Sequence, residues 1–397
     1  MKISLVTIAL LLLAPRLLQA QWVQTSIPST LVVTCFADSG ANLYAGTDGG
    51  IFFSTNHGGS WTSINVGLSD AHVLALGLSA TSLFAGTIGG GVYLSTNNGA
   101  NWKAINTGLT SFVIDAFAVS GTNTFVSTGS GVFLTPNDGI TWKNLFSFPS
   151  IARALSIVGN NLVAGTANGV FLSTNDGNTW NAANTGLTDT NILAFAASDT
   201  SLLAGTSSGG VYLSTDKGGS WVAISAGLTN APVRALAASG PNLFAATNTG
   251  VFFSTNNGAK WKTFNTGLTN LDVRSLAVSG SYLLAGTTGA SGVWRRPLSD
   301  VVLFGVQSPA QSQNALACYP NPVSGSTTIN LSASDRGPAQ VTIVNLLGAE
   351  VARPFTGELN AGTHVFNWDA RGFPAGSYEC IVRVNGCLEC VPIMVAR

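Results

Sequence analysis

Three arginines and one aspartate are the residues of this chain whose types and spacing could do chemistry. Aligning the copies of a repeat of about 40 residues gives one shared position, which holds Thr34, Leu74, Asp115, Arg153, Leu193, Arg234 and Arg274. Guanidinium groups bind carboxylate or sulfate through two parallel hydrogen bonds. The alignment leaves two alternatives. One is a ligand-binding cluster of Asp115, Arg153, Arg234 and Arg274, and the other is ion pairs of Arg153 with Asp115 and of Arg274 with Asp272 or solvent.

A glycosidase would need a pair of carboxylates, and the repeats offer only aspartates for it. Every Glu lies at or beyond Glu350. The aspartates that the repeat pattern places on the same side as the arginines are Asp48, Asp70, Asp189 and Asp272. Aspartate is also a common turn former, which is the ordinary interpretation of each. His57 and His72 are isolated from other possible ligands, so the sequence predicts no metal and no cofactor.

The elements that must position these residues are marked by an eight-residue box ending in Trp, first seen at residues 54–61 as STNHGGSW. An Asn or Asp side chain can accept backbone N–H groups in a tight turn, a Gly supplies positive φ, and the Trp buries apolar surface. The box therefore predicts a structural brace between two strands. Its six copies contain Asn56 and Trp61, Asn97 and Trp102, Asn137 and Trp142, Asn175 and Trp180, Asp216 and Trp221, and Asn256 and Trp261.

Counting strands within the repeat predicts seven blades. The second strand of the repeat, typified by Leu43-Tyr-Ala-Gly-Thr47, recurs seven times. The outer strand also recurs seven times if residues 21–26, with Trp22, supply the one that the seventh repeat lacks. We therefore predict an all-β chain whose residues 21–298 form a seven-bladed β-propeller closed by the N-terminal strand, which removes a free sheet edge.

The box pattern resembles the Asp-box, or BNR, repeat of sialidases and of exported propellers similar to the photosystem II assembly factor family. In that family the box lies on the face away from the catalytic site, and sialidases use an arginine triad together with a Tyr, a Glu and an Asp. The absence of Glu before Glu350 argues against that activity. We therefore predict a non-catalytic binding or scaffold propeller with a glycan or protein ligand. The alternative is a sialidase-like glycoside hydrolase that uses the arginine cluster.

The N-terminus and the charge balance predict export. Lys2 and the apolar run that follows it are typical of a signal peptide, with cleavage expected after Ala20. Lys plus Arg and Asp plus Glu both number 17, which disfavours a nucleic-acid partner. No later apolar run is long enough for a transmembrane helix in the mature chain.

The period breaks after Pro297, and a second domain at residues 318–397 is predicted beyond a linker at 299–317. Six strand candidates, separated by Gly, Pro and Asn turns and including a hairpin at Asn385-Gly386, favour a small Ig-like β-sandwich. The candidates are residues 327–331, 340–345, 350–353, 364–368, 378–384 and 388–395. Four of the five cysteines lie here: Cys318, Cys380, Cys387 and Cys390. For Cys387 and Cys390, we favour a disulfide within the last hairpin over a metal site. Cys35, alone among the repeats, is interpreted as a buried apolar residue.

The second domain contains short motifs with the residues Tyr319, Pro320, Asn321, Pro322, Gly348, Gly362, Trp368, Gly376 and Tyr378. Together these motifs resemble the type A C-terminal sorting domain of the type IX (Por) secretion system, and the Ig-like domain of the flagellar hook-capping family is similar. That resemblance implies recognition by an outer-membrane translocon, removal by a C-terminal-domain peptidase, and a secreted or cell-surface product that crosses the periplasm.

Overall fold

The computed structural model describes residues 21–28, 30–40, 42–146, 148, 150–197, 201–289, 292–301, 315–333, 335–345, 350–384 and 387–396. Contacts divide the chain into two compact units, Met1–Val301 and Val302–Arg397. The predicted signal peptide at residues 1–20 lies outside the described residues, as does most of the predicted linker.

The described part of the first unit is all-β, with 28 strands in seven four-stranded antiparallel sheets. Strands follow one another in sequence order within each sheet, except in the sheet that contains the first strand of the chain. In chain order the strands are β1 Val23–Gln24; β2 Val33–Asp38, β3 Leu43–Thr47, β4 Gly50–Ser54 and β5 Thr62–Ser63; β6 Val73–Leu78, β7 Leu83–Thr87, β8 Val92–Ser95 and β9 Lys103–Ala104; β10 Ile114–Ser120, β11 Asn123–Thr128, β12 Gly131–Thr135 and β13 Lys143–Phe146; β14 Ala152–Val158, β15 Asn161–Thr166, β16 Gly169–Ser173 and β17 Asn181–Ala182; β18 Ile192–Ala197, β19 Leu202–Thr206, β20 Val211–Ser214 and β21 Val222–Ala223; β22 Ala235–Ser239, β23 Asn242–Thr247, β24 Gly250–Ser254 and β25 Lys262–Thr263; and β26 Val273–Ser279, β27 Tyr282–Thr287 and β28 Val293–Pro297.

The N-terminal strand belongs to the sheet that is last in sequence. β1 pairs antiparallel with β28, so that Val23 lies opposite Arg295 and Gln24 opposite Trp294. The sheet order is therefore β1-β28-β27-β26. The first strand covers the edge of β28, and an edge of unpaired N–H and C=O groups is avoided there.

The apolar core lies between neighbouring sheets. In one cluster, Val163 and Val170 of one sheet pack with Ile192 and Trp221 of the next. A similar cluster joins the last sheet to the first and includes Leu284 and Val33. The innermost strands β2, β6, β10, β14, β18, β22 and β26 each contact the next, and β26 also contacts β2. Because each sheet buries its two faces against its two neighbours, the sheets stabilise one another in a ring of contacts.

Each predicted box is a turn whose polar groups are bonded within the turn. In the second copy, the Ser95 hydroxyl donates to Asn97 Oδ1 at 2.8 Å and accepts from the Gly99 N–H at 2.8 Å. The Asn101 N–H donates to Asn97 Oδ1 at 3.0 Å. Gly99 has a positive φ of +86°, as expected, and the equivalent glycine of each other box also has a positive φ. The residue before each of these glycines is also left-handed, with φ from +53° to +59°, although none is Gly: His57, Asn98, Asp138, Asp176, Lys217 and Asn257.

Four of the six box tryptophans donate hydrogen bonds to backbone carbonyls next to the sheet that precedes their own. The indole N–H of Trp102 donates to Ile64 O at 2.7 Å, and its backbone N–H donates to Val66 O at 2.8 Å. Gly67 permits this approach, because a Cβ there would lie 2.2 Å from Trp102 O. Trp142, Trp221 and Trp261 repeat both bonds. Trp22 also repeats them, with Phe264 O and Thr266 O as acceptors. Trp22 therefore takes the place of a box tryptophan without a box.

A buried ion pair joins β28 to the residues that follow it. Arg296 is fully buried, its Nε donates to Asp300 Oδ2 at 3.0 Å, and its guanidinium lies 3.8 Å from the centre of the Phe264 ring. Phe264 in turn packs against Trp22, with ring centres 6.0 Å apart. Arg296 of β28 and Trp22, next to β1, thus contact the same Phe264 ring.

The strands of the second unit are β29 Ala315–Tyr319, β30 Ser326–Ala333, β31 Gly337–Asn345, β32 Glu350–Leu359, β33 Gly362–Asp369, β34 Gly376–Val384 and β35 Cys387–Val395. In the described residues they form two antiparallel sheets, ordered β29-β30-β33 and β32-β31-β34-β35. Side chains of both sheets, such as Ile329 and Ile343, share one buried cluster.

Two predictions for the second unit need correction. The linker predicted at 299–317 is too long, because β29 begins at residue 315. The strand predicted at 350–353 is too short, because β32 continues along its partner β31 to residue 359.

Candidate functional site

The seven aligned positions lie where the innermost strand of each sheet begins, and six of them are β-bulge residues. In β10, for example, Ile114 pairs with Thr128 and Ala116 with Ser127, so Asp115 has no partner of its own. Arg153 and Arg274 are placed in the same way. Arg234 directly precedes β22, and its backbone N–H donates to Ala246 O. A bulge changes the direction of its side chain without ending the strand, and the remaining bulge residues are Thr34, Leu74 and Leu193.

These side chains line one cavity of about 360 Å³. Its lining consists of Val32, Thr34, Leu74, Asp115, Arg153, Leu193, Arg234 and Arg274. The strand register places this cavity and the box turns at opposite ends of the sheets, because Ile114 pairs with the end of β11 whereas Thr135 pairs with its beginning. We call this cavity the channel mouth.

Arg234 and Arg274 share one carboxylate at the channel mouth. Arg234 Nη1 forms an ion pair with Asp272 Oδ1, and Arg274 Nη2 lies 3.4 Å from Asp272 Oδ2. The Thr288 hydroxyl donates to the same Oδ2 at 3.0 Å. The expected contact of Arg274 with Asp272 is therefore present. The pairing of Arg234 with Asp272 was not predicted, because the two residues are 38 positions apart in neighbouring repeats.

Arg153 and Asp115 do not form the ion pair that was the second alternative. The described partner of Arg153 is the side chain of Asn191, to which Nη1 donates at 3.4 Å. Asp115 Oδ2 is buried and has no hydrogen-bond partner. Burial raises the pKa of Asp115 to about 6, and the nearby charge of Arg153 opposes that rise. The two groups influence each other through space, yet each keeps hydrogen-bonding capacity.

The carboxylates of three of the other aspartates accept hydrogen bonds from backbone N–H groups. Asp48 Oδ1 accepts the Val32 N–H at 2.9 Å. Burial opposes ionisation of Asp70, but backbone hydrogen bonds from His72, Gly89 and Gly90 outweigh it and lower its pKa. Asp189 is held in the same manner, and its pKa is also lowered. Asp272 differs, because its carboxylate is bound by arginines of the channel mouth.

Several motif residues of the second unit are held by hydrogen bonds or packing within that unit. Asn321 Oδ1 accepts the Met394 N–H at 2.7 Å, and the Thr327 hydroxyl donates to Pro320 O at 2.9 Å. Trp368 packs against Tyr378, with ring centres 5.4 Å apart. Gly362 and Gly376 open strands with φ of +128° and +153°. Tyr319 and Pro322 are exposed, whereas Gly348 and the predicted Asn385-Gly386 hairpin turn lie outside the described residues.

The chain is similar in fold to several solved β-propeller structures. PorZ of Porphyromonas gingivalis, an essential surface component of the type IX secretion system, is 17% identical, with 91% of this chain and 59% of PorZ covered and a TM-score of 0.55. The extracellular domain of a putative hybrid two-component system of Bacteroides thetaiotaomicron is 16% identical, with 95% and 57% covered and a TM-score of 0.59. The family 74 xyloglucanase of Xanthomonas campestris is 16% identical, with 79% and 59% covered and a TM-score of 0.56.

These three likenesses describe fold alone, and the chain spans less than two thirds of each of those proteins. No curated protein matches the sequence at a significant level. Within the described residues, no helix has the length and apolar character needed to cross a membrane. One family model matches, the secretion system C-terminal sorting domain, over residues 317–387. The first unit is therefore propeller-like, and the second unit carries a sorting domain of the type IX secretion system.

Proposed function

We propose that this protein is an exported, non-catalytic β-propeller that binds an anionic ligand at the channel mouth and is delivered by the type IX system. In this proposal the seven sheets are the blades of one propeller over residues 21–298, closed by β1. The ring of contacts among the innermost strands and the equivalent bonds of Trp22 and the box tryptophans support seven blades. The bonded turns of the boxes support an Asp-box repeat.

The sorting domain provides the delivery signal. We propose that residues 318–397 form an Ig-like sandwich that the translocon recognises and that a C-terminal-domain peptidase removes, after the signal peptide at residues 1–20 has directed passage to the periplasm. Two sheets around one core support the sandwich. In a host with a type IX system, the full chain should reach the cell surface or medium, and a chain ending at Val301 should stay in the periplasm. Equal surface labelling of both chains would contradict this step.

The observation that carries the binding proposal is the unmatched pair at the channel mouth. Arg153 has no carboxylate partner among the described residues, and the buried Asp115 Oδ2 lacks a donor. A buried polar atom without a hydrogen bond is costly, so a ligand that donates a hydrogen bond to Asp115 would recover that cost. A carboxylate or sulfate of the same ligand would bind Arg153. Acidic glycans carry both groups.

A glycan array tests this proposal directly. The parent protein should bind glycans that bear carboxylate or sulfate groups, and Arg153→Ala and Arg234→Ala should each lose at least about tenfold in affinity, as expected for a lost charged hydrogen bond. Lys260→Ala removes one exposed cation beside a box turn and serves as the matched control, with unchanged binding. Equal array signals from the parent and both arginine variants would remove the cluster from consideration.

A glycoside hydrolase remains the second candidate because the xyloglucanase shares the fold and because two aspartates, Asp115 and Asp272, lie at or beside the channel mouth. The charge sharing of Asp272 with Arg234 and Arg274 favours binding over catalysis, since a general base must be available to water. Release of a fluorescent aglycone from glycoside substrates by the parent, abolished in Asp115→Asn, would replace the binding proposal with hydrolysis.

A further inference from the structure

We propose that Cys318 and Cys380 are oxidised to a disulfide that joins the two sheets of the C-terminal unit. Cys318 lies on β29 of one sheet, and Cys380 lies on β34 of the other. Both thiols are free in the structure, they belong to the same apolar cluster, and Cys380 is within hydrogen-bonding reach of Cys318. A disulfide needs two Cys that face each other at short range, and the fold supplies this arrangement across its core.

The surroundings of the pair favour oxidation over metal binding. Cys380 is fully buried within the shared apolar cluster, and Cys318 packs against that cluster and is partly exposed. Among the described residues, no group of three or more His, Cys, Asp or Glu side chains could hold a metal ion. Two sulfurs in an apolar core lack the four ligands of a structural zinc site.

Strand register separates this pair from the other two cysteines of the unit. The cross-strand neighbour of Cys380 on β35 is Val391. Cys390 lies opposite Ile381 and Cys387 opposite Val384, so neither occupies the position beside Cys380. The inference therefore differs from the sequence-based expectation, which placed a disulfide within the last hairpin and left its pairing open.

The chemistry is a thiol–disulfide exchange with an oxidised dithiol protein or oxidised glutathione as the electron acceptor. The Cys318 thiolate attacks one sulfur of the external disulfide, which forms a mixed disulfide and releases one external thiolate. The Cys380 thiolate then attacks Cys318 Sγ and releases the second. Two protein thiols lose two electrons and two protons, and one external disulfide is reduced. Cys318 is the entry point because it is the more exposed, and the hydrogen bond from Cys380 lowers the pKa of its thiol.

Tryptic mapping of the full chain tests the pairing, because cleavage separates the cysteines. Cys318 falls in the peptide 296–336, Cys380 in 372–383, and Cys387 with Cys390 in 384–397. The purified chain is equilibrated with a glutathione redox buffer, denatured, alkylated, and digested without reduction. We expect a linked peptide of 296–336 with 372–383 that disappears on reduction. Alkylated Cys318 and Cys380, or a link from either one to 384–397, would overturn the proposal.

Variants separate the disulfide from a general effect on folding. In the parent, dithiothreitol should lower the melting temperature of the C-terminal unit by roughly 10 °C, since the bond closes a long loop. Cys318→Ser should melt near the reduced parent and show no response to the reductant. A double variant with Cys387→Ser and Cys390→Ser should keep the full response. The test needs no secretion host, so its outcome is independent of the export proposal. A parent protein whose melting temperature does not change with dithiothreitol would contradict the Cys318–Cys380 disulfide.

Discussion

Two aspartates at opposite ends of the sheets, Asp216 and Asp115, differ in their hydrogen bonds and in the direction of their pKa shifts. Asp216, in a box turn, accepts hydrogen bonds from Ser214, Ser220 and the Ser220 N–H, and these lower its pKa to about 2. Asp115, at the channel mouth, is half-buried, its Oδ2 is buried without a hydrogen-bond partner, and burial raises its pKa to about 6. The Asp216 carboxylate has its hydrogen bonds within its own turn, and it stabilises the fold. The Asp115 carboxylate has an oxygen without a hydrogen bond, which a ligand can supply, so the channel mouth is the end of the sheets at which to search for a ligand.

The largest expected effect concerns the box end, where the tryptophan and the turn can be separated. Trp22 makes the bonds between sheets without a box, so Trp22→Ala should destabilise the first unit by about 4 kcal/mol, as buried Trp-to-Ala changes do. The measurement is denaturant unfolding of the full chain. Trp180→Ala is the matched control with a smaller loss, because the Trp180 N–H bonds to Gly177 of its own turn. A loss at Trp22 no larger than that at Trp180 would show that the turn, and not the bond between sheets, does the stabilising.

The second prediction concerns the Asp115 carboxylate, whose Oδ2 has no hydrogen-bond partner. Because the pKa of Asp115 is raised in the folded state, the folded state holds a proton that the unfolded state releases between about pH 4 and pH 6, and stability falls as pH rises through that window. Asp115→Asn should therefore be more stable than the parent by about 1–2 kcal/mol at pH 7, and this advantage should vanish near pH 4. Chemical unfolding at both pH values measures it. A destabilised variant at pH 7 would mean that Asp115 has a bonded structural role.

The smallest effect is expected at Asp216. Its depressed pKa gives a stabilisation that is present above about pH 4 and is lost as pH falls toward 2. Asp216→Asn should differ little from the parent at pH 7, by less than about 1 kcal/mol at this exposed site, because Asn fills the same role in the other boxes. Relative to the parent, the variant should gain stability in acid. In parallel acid titrations, the stability of Asp216→Asn relative to the parent should rise as pH falls, and that of Asp115→Asn should fall. The same trend in both variants would show that the two aspartates do not differ in this way.

The sequence alone predicts much of the first unit because period and strand pattern are local signals. The spacing from Trp22 to Trp61 led to the pairing of β1 with β28, and alignment brought Asp115 and three arginines to one place. The bulges were missed, because the register between two strands depends on both of them. The Arg296–Asp300 pair was also missed, since four residues of sequence do not reveal burial. The start of β29 was missed because Ala315 and Ala317 belong to a residue type that strands contain less often.

The partner of Arg234 could not be predicted for a related reason. Asp272 belongs to the next repeat, and its side chain was one of several turn-forming candidates of equal standing. Only the packing of neighbouring sheets distinguishes it from Asp48, Asp70 and Asp189, whose oxygens are taken by backbone N–H groups. Position on a face is therefore readable from sequence, whereas the choice of partner across two sheets is not.

The bulges give the channel mouth room to diversify. Because a bulge residue such as Leu74 has no partner in its strand ladder, its side chain can be exchanged while the neighbouring pairs keep their register. Six such positions and Arg234 surround one cavity on a fixed frame. A lineage, or a combinatorial library built at these seven codons, can thus sample new recognition chemistry while the scaffold beneath it stays constant.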